Sequence, residues 1–505
     1  MSTPASRESS TVGDRLAQGR LGTRRVLHFS LTAATPLTVI AGGVPVMYAL
    51  AGQIGIAVAY LAMALVLGLF AVGYIAMARH ITNAGAMYAF VARGLGRLPG
   101  VGAAWIAATA YSALQISLYG LLGLQAASLL DRFFSLAVPW WAAALAAWAL
   151  IALLGTHAVG LNAGVLAVLL VVEIAIVLVF TGSNFLHPVG GSVSFAALDP
   201  TRLIGPGTAA GAVLALAYVG YIGFESPTVY AEEARNPRRT VPRATGLTIL
   251  ILALIYVLAS WSMPVAAGDE RIIGLATADP DIMFTLAGQQ LGQTWAAVGQ
   301  VLLFTSITAA ALSFHNTTSR YLFALGREQV LPAWLGRTSP RTLAPAAASL
   351  TQSVLALAVI ALWAVTGLDP LVHLFYYMGT SAGLALITLV TVCAVAVAVF
   401  FWRDRRGESA WTARLAPAGA VAALSGVWYL STVHFHTLLG VADEALLPRL
   451  VQAAILALAL LGLAWGLYLK HARPEVYSGI GHGAKAALAQ TTAPASAPVG
   501  ATDAR

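Results

Sequence analysis

Charge is scarce in this sequence: Asp, Glu, Lys and Arg make up 10% of 505 residues, against 59% hydrophobic. A soluble protein of that length covers its surface with far more charge, so water is not the solvent around most of this chain. Cysteine is nearly absent. The single residue, Cys393, lies inside an apolar run, which excludes an intramolecular disulfide and a thiolate metal site. Also missing are HExxH, GxSxG, any His/Cys cluster with metal spacing, and a Gly-rich phosphate loop ending in Lys-Ser or Lys-Thr. A membrane enzyme and an ATP-driven pump both lose support, and neither a cofactor nor a metal is expected. The net charge of +8 does not indicate nucleic acid, because the cations lie between apolar runs.

Those runs are what the chain has in abundance. Stretches of about 20 apolar residues, enough to cross a bilayer, fall near 26–51, 55–78, 99–130, 139–157, 163–182, 207–233, 244–266, 296–325, 346–366, 371–401, 417–434 and 448–470. The spacing predicts an all-α integral membrane protein of twelve transmembrane helices. With both termini cytoplasmic, 24 of the 28 Lys and Arg lie inside, leaving Arg132, Arg202, Arg271 and Arg449 outside with nine acids. That bias sets orientation. The expected location is the cytoplasmic membrane, with the lipid bilayer as the surrounding partner. Residues 1–25 read as a polar cytoplasmic tail followed by a full span rather than as a cleavable signal. Residues 472–505, rich in Ala, Gly, Thr and Pro, have no face to bury and are expected to be a disordered cytoplasmic tail.

Two spans are interrupted. In helix 6, LALAYVGYIGFESPTVYAEE at 214–233 places Gly220, Gly223, Glu225 and Pro227 within an apolar run. Helix 1 contains Pro36, Gly42, Gly43 and Pro45. In hydrocarbon an unpaired backbone group costs several kcal/mol, so such breaks survive only where protein or a wet cavity surrounds them. Corresponding breaks in two blocks of five spans mark a transporter's substrate site, and an odd number of spans per block inverts the second repeat. This divides the chain into a core at 26–401, with repeats at 26–182 and 207–401, and two further helices at 402–471. The outer half of helix 1 is expected to start near Ile40, Ala41, Gly42, Gly43 and Val44 with free N–H groups suited to a carboxylate. The outer half of helix 6 is expected to end near Tyr218, Val219, Gly220, Tyr221 and Gly223 with free carbonyls suited to an ammonium group. Together these describe the head of an α-amino acid.

Three segments carry a family resemblance: NAGAMYAF at 83–90, GFES with AEEARNPRRTVPRA at 223–244, and SRYLFALGREQVLP at 319–332. They resemble the amino acid, polyamine and organocation transporter superfamily, collinearly over about 26–401. The resemblance implies a leucine-transporter-like fold, five plus five inverted helices with two extra at the C-terminal side, working by alternating access. Many relatives carry Gly-X-Gly at the helix 1 break; aligning Gly43 with the second glycine puts Ala41 in place of the first.

Further candidates come from polar residues in apolar surroundings. Tyr111 and Gln115 are four apart on helix 3 and share a face, for ligand contact or for interhelical bonding. Glu225 at the break is a candidate for gating or amine binding. Glu173 stands alone in VLLVVEIAIVLVF of helix 5, a place where similar proton-coupled relatives often hold a lysine that stands in for sodium. A lone carboxylate there prefers its neutral form unless a cation joins it, so a proton or sodium fits. Ser306 on helix 8 is a candidate for the same coupling step, and His315 reads as a hydrogen-bonded helix histidine. Tyr376 or Tyr377 closes one side of the cavity or simply packs. Helices 11 and 12, without intramembrane charge, are assigned to packing, lipid contact or dimerisation with a second copy. The expected function is therefore a secondary permease, with proton-coupled uptake of neutral amino acids foremost. Cationic amino acids or polyamines, carried by exchange or symport, are the alternative, and a non-transporting amino-acid sensor is the rival of another class.

Overall fold

A computed structural model describes Leu16, Gly19 and residues 21–81, 83–156, 159–204 and 209–483, giving only the helical backbone for 159–166. Most of the two expected tails lies outside these residues. Every regular element among them is helical except a single bridge between Leu21 and Ala234. A chain this apolar satisfies its backbone within each segment, and helices do that without partners.

Among the described residues, eleven helices are long and apolar enough to span a membrane. With the shorter apolar helix they number twelve: α1 Thr23–Ala51, α2 Ile56–His80, α3 Arg97–Phe134, α4 Trp140–Gly155, α5 Val159–Leu186, α6 Ala210–Val229, α7 Pro237–Ala267, α8 Gln293–Arg327, α9 Ala346–Thr366, α10 Pro370–Arg403, α11 Trp411–Val433 and α12 Leu446–Ala472. At 16 residues, α4 is about 24 Å long. Each block of five has a helical connector between its second and third members. In the first block it is Ala86–Gly94; in the second it is the pair Ile272–Ala278 and Ile282–Leu291. The first connector lies at the end where the described chain starts near Leu21 and stops near Gly483, the terminal end, with Arg93 Nη1 3.0 Å from His482 Nε2. An odd block length carries the second connector to the opposite, far end. α12 is the least buried span, with 11% of its apolar window inside the protein.

Both expected interruptions are present. α1 breaks at Thr35, whose left-handed backbone (φ 42°, ψ 71°) ends the helix Thr23–Ala34. Pro36 starts the next turn, a position where its fixed φ suits a helix and its missing N–H costs nothing. A π-helical turn, Val39–Gly43, then leads into Val44–Ala51. The break thus lies before the expected glycine pair, which sits inside a continuous helical stretch. α6 is helical over Ala210–Tyr221, opens at Ile222–Glu225 and resumes for Ser226–Val229. Gly223 has φ +116°, and a Cβ there would stand 2.8 Å from Ala34 N. The two breaks therefore touch through backbone, which only glycine permits. The Tyr256 hydroxyl of α7 lies 2.8 Å from Gly220 O and 3.1 Å from Ala34 O, holding both breaks together.

The expected disordered stretch from 472 is corrected in its first part. Pro474–Gly479 is a short helix, and the amides of Gly481 and Gly483 each donate at 2.7 Å to Glu328. A low-complexity sequence becomes ordered here because a buried carboxylate needs its N–H groups.

Candidate functional site

Between the breaks and the far end lies a cavity of about 160 Å³. Its α1 wall is Thr35, Thr38, Val39, Gly42, Gly43 and Val46; α6 contributes Leu216, Val219 and Gly220. Ser117 of α3, Phe314 of α8, and Phe375, Tyr376 and Thr380 of α10 complete much of the rest. Among the described residues no charged side chain lines it. Gly42, Gly43, Val46, Phe375 and Tyr376 are partly exposed, on the side toward the far end. The Tyr376 hydroxyl is anchored on Leu438 O at 2.8 Å.

Glu173 sits directly behind this wall. Its Oε1 accepts the Leu37 amide at 2.7 Å and the Ser306 hydroxyl at 2.9 Å, and Thr38 Oγ1 is 3.0 Å from Ser306 Oγ. Leu37 is the first residue after the break with an amide hydrogen, so the carboxylate occupies the positive end of the second helical half. The sequence suggested a carboxylate pole at Gly42 and Gly43. The pole is instead at Leu37 and Thr38, and the protein's own carboxylate holds the first of these amides. Leu37, Thr38, Glu173 and Ser306 thus form one chain of contacts through α1, α5 and α8. The neighbouring hydroxyls Thr305 and Thr308 bond back to their own helix.

On the terminal side of the breaks the protein is closed by buried polar pairs. Nearest the cavity, Tyr111 donates to Glu225 Oε1 at 2.5 Å, Gly223 N donates to its Oε2 at 2.9 Å, and the Tyr111 ring stacks on Tyr321. Further out, Arg320 forks onto Glu233 at 2.6 and 3.2 Å and lies 4.6 Å over the Tyr230 ring. Beyond that, Arg327 grips Glu232 with two bonds of 2.6 and 2.7 Å, and Ala84 N donates to the same carboxylate. Glu328 accepts from Asn83, Tyr88, Gly481 and Gly483. The Leu21 amide donates to Glu233 O, tying the start of α1 to this closure.

Of the substrate contacts expected from sequence, Gly42, Gly43, Val219 and Gly220 line the cavity. Ile40, Ala41 and Val44 are buried in packing away from it, because the π turn rotates this segment. Tyr218 borders a separate gap against α10 and α11. Tyr221 donates to Tyr60 O, and Gly223 is used for backbone approach rather than ligand space. Tyr111 belongs to the closure and Gln115 bonds Gln352 of α9 at 2.7 Å, so the shared face serves interhelical bonding. Glu225 faces Tyr111 and Gly223 N rather than the cavity. His315 bonds Ser349 at 2.8 Å, as read from sequence. Thr35, Thr38 and Phe375 were missed, as was Tyr60 of α2, which also lines the cavity. Pro36 was the available signal, since proline marks a first helical position and would have moved the break upstream.

A family model described as amino acid permease matches residues 22–446. The chain belongs to the amino acid permease family. Among its relatives, cationic amino acid transporter 4, vacuolar, of Arabidopsis thaliana is 32% identical over 187 residues, covering 36% of this chain and 28% of that protein. The branched-chain amino acid permease BcaP of Bacillus subtilis is 27% identical over 135 residues, 26% of this chain and 27% of that one. The matched stretch is thus under a third of either relative's length. Among solved structures, a substrate-bound outward-open Na+-coupled sialic acid symporter aligns with a TM-score of 0.49 at 13% identity, covering 83% of this permease and 92% of that chain. Within this permease the three family-bearing segments meet at one place: Asn83, Ala84 and Tyr88 from the first, Glu232 and Glu233 from the second, and Arg320, Arg327 and Glu328 from the third build the closure.

Proposed function

We propose that this permease carries an amino acid with an uncharged side chain by alternating access, with entry of a proton at Glu173 as the coupled step. The observation that carries the reading is the position of Glu173. Its carboxylate is docked on the first free amide beyond the α1 break, immediately behind the cavity wall. Protonation removes the charge that holds it to the Leu37 amide and frees that amide, beside Thr38, to meet a substrate carboxylate. Proton and substrate then favour the same state, which is what symport requires. The apolar, uncharged lining supports neutral substrates. The polar closure and the partly exposed far side fit a carrier open on the side away from residues 21 and 483, and the arginine bias supports a cytoplasmic position for that closed end.

Two readings compete on specific grounds. Three oxygens, from Thr38, Ser306 and Glu173, lie together and could ligate sodium instead. The relatives named as cationic amino acid transporters favour a cationic substrate, although no carboxylate faces the cavity. Uptake of labelled leucine, alanine, lysine and arginine into vesicles holding the purified protein separates them. Neutral substrates driven by an inside-alkaline pH gradient, with no sodium requirement, are expected. Sodium-dependent, pH-indifferent uptake overturns the proton step, preference for lysine or arginine overturns the substrate class, and binding without flux identifies a sensor.

A further inference from the structure

A second concavity, of about 440 Å³, lies at the end where residue 483 sits, away from the central cavity. Arg93, Arg97, Arg403, Arg406 and His482 converge on it, with Asp404 the sole carboxylate in its wall among the described residues. These basic side chains come from three separate parts of the chain: the connector and start of α3, the end of α10 with the residues just after it, and the segment after α12. Each guanidinium is only partly engaged. Arg403 donates to Gly94 O at 2.9 Å and Arg93 meets His482. Arg97 lies 5.7 Å over the Tyr477 ring, and Arg406 lies 4.6 Å over Phe400 and 3.7 Å from Asp404. A guanidinium has five donors, and among the described residues each of these uses only part of that capacity. Four like charges gathered around one hollow repel each other unless an anion joins them.

We infer that this pocket binds a phosphate-bearing anion, supplied in the membrane by the headgroup of an anionic phospholipid. Arginine forks match phosphate oxygens two at a time. The depth is right for a headgroup: exposed Trp402, with Arg414 5.6 Å over its ring, follows the last apolar turn of α10, as interfacial tryptophans do. Basic pockets between helices at that level are suited to anionic headgroups. The site also has a reach beyond itself. Its wall at Tyr477, Ile480 and His482 belongs to the same short segment whose Gly481 and Gly483 amides hold Glu328. An anion that draws His482 and Tyr477 toward the arginines braces that segment against Glu328, and by linkage a formed latch strengthens anion binding equally.

The inference does not depend on the transported substrate and is tested without transport. The full chain in detergent is melted with added phosphatidylglycerol, phosphatidylcholine or inorganic phosphate, as wild type, Arg97→Gln, Arg406→Gln, the double change and Arg97→Lys. Phosphatidylglycerol should raise the melting temperature and slow hydrogen exchange at residues 477–483, whereas phosphatidylcholine should do neither. The double change should require about tenfold more phosphatidylglycerol for the same rise, the loss expected for one charge-assisted hydrogen bond or more. Arg97→Lys should recover part of it. Arginine-dependent protection by inorganic phosphate, with no further gain from phosphatidylglycerol, would assign the site to a soluble phosphate. If the double change melts low in phosphatidylcholine alone, the single changes carry the comparison. Equal responses of wild type and arginine variants, or exchange at 477–483 that ignores the anion, overturn the inference.

Discussion

Glu173 concentrates two recorded bonds on one carboxylate oxygen, one from a backbone amide and one from a hydroxyl. In Glu173→Gln the amide oxygen can still accept the Leu37 N–H, so the fold should persist while the charge is lost. Uptake by this variant should no longer respond to a pH gradient, whereas counterflow, which needs no net proton movement, should survive; an unaltered pH response removes the residue from the mechanism. At Gly43 a Cβ would meet only Val39 Cγ1, at 3.9 Å, so a larger side chain grows into the cavity. Gly43→Leu should abolish uptake and leave the melting temperature near that of the wild type. Gly223 behaves differently, because its Cβ would strike the α1 backbone, and Gly223→Ala should lower melting before it touches transport. Glu173 itself was legible in sequence as a lone carboxylate in an apolar run. Its main partner was not, because a threonine with positive φ decides which amide is free, and threonine is not the residue type that local rules put in that conformation.

The interrupted helix α1 shows the same limit at the level of elements. The Gly42 and Gly43 pair looked like the place where a helix would open, yet both residues lie in a π turn that continues into Val44–Ala51. Holding Thr35 in the left-handed region costs about 1 kcal/mol, which glycine would not incur. Thr35→Gly should therefore melt at or above the wild-type temperature; a clear fall would mean that the Thr35 side chain contributes more than its backbone strain costs. The helical type of these elements was readable because apolar runs of membrane length admit little but helix. The short connectors, the π turns and the ordering of residues 474–483 were not. Each depends on contacts with residues far away in the chain, such as Glu328.

Across the whole molecule, the segments that carry the family likeness form the closure and not the cavity. Arg320 and Glu233 are almost fully buried in it. Removing one partner leaves an uncompensated charge, so Arg320→Ala should cost about 3–5 kcal/mol of stability. Pairing it with Glu233→Gln should restore much of the loss, as read by melting of the single and double variants. This also explains why family was easier to read than substrate. The closure is made of charged side chains in contiguous motifs, while the cavity is lined by glycine, apolar and hydroxyl-bearing residues drawn from α1, α2, α3, α6, α8 and α10. The Glu328 contacts bear, finally, on how the protein is made. Two of its four donors lie 153 and 155 residues downstream. During synthesis that carboxylate waits through the emergence of α9 to α12, and the terminal end cannot finish closing until residue 483 has left the ribosome. A chain halted short of that point leaves the closure around Glu328 unlatched, and a quality-control protease would find its opening there.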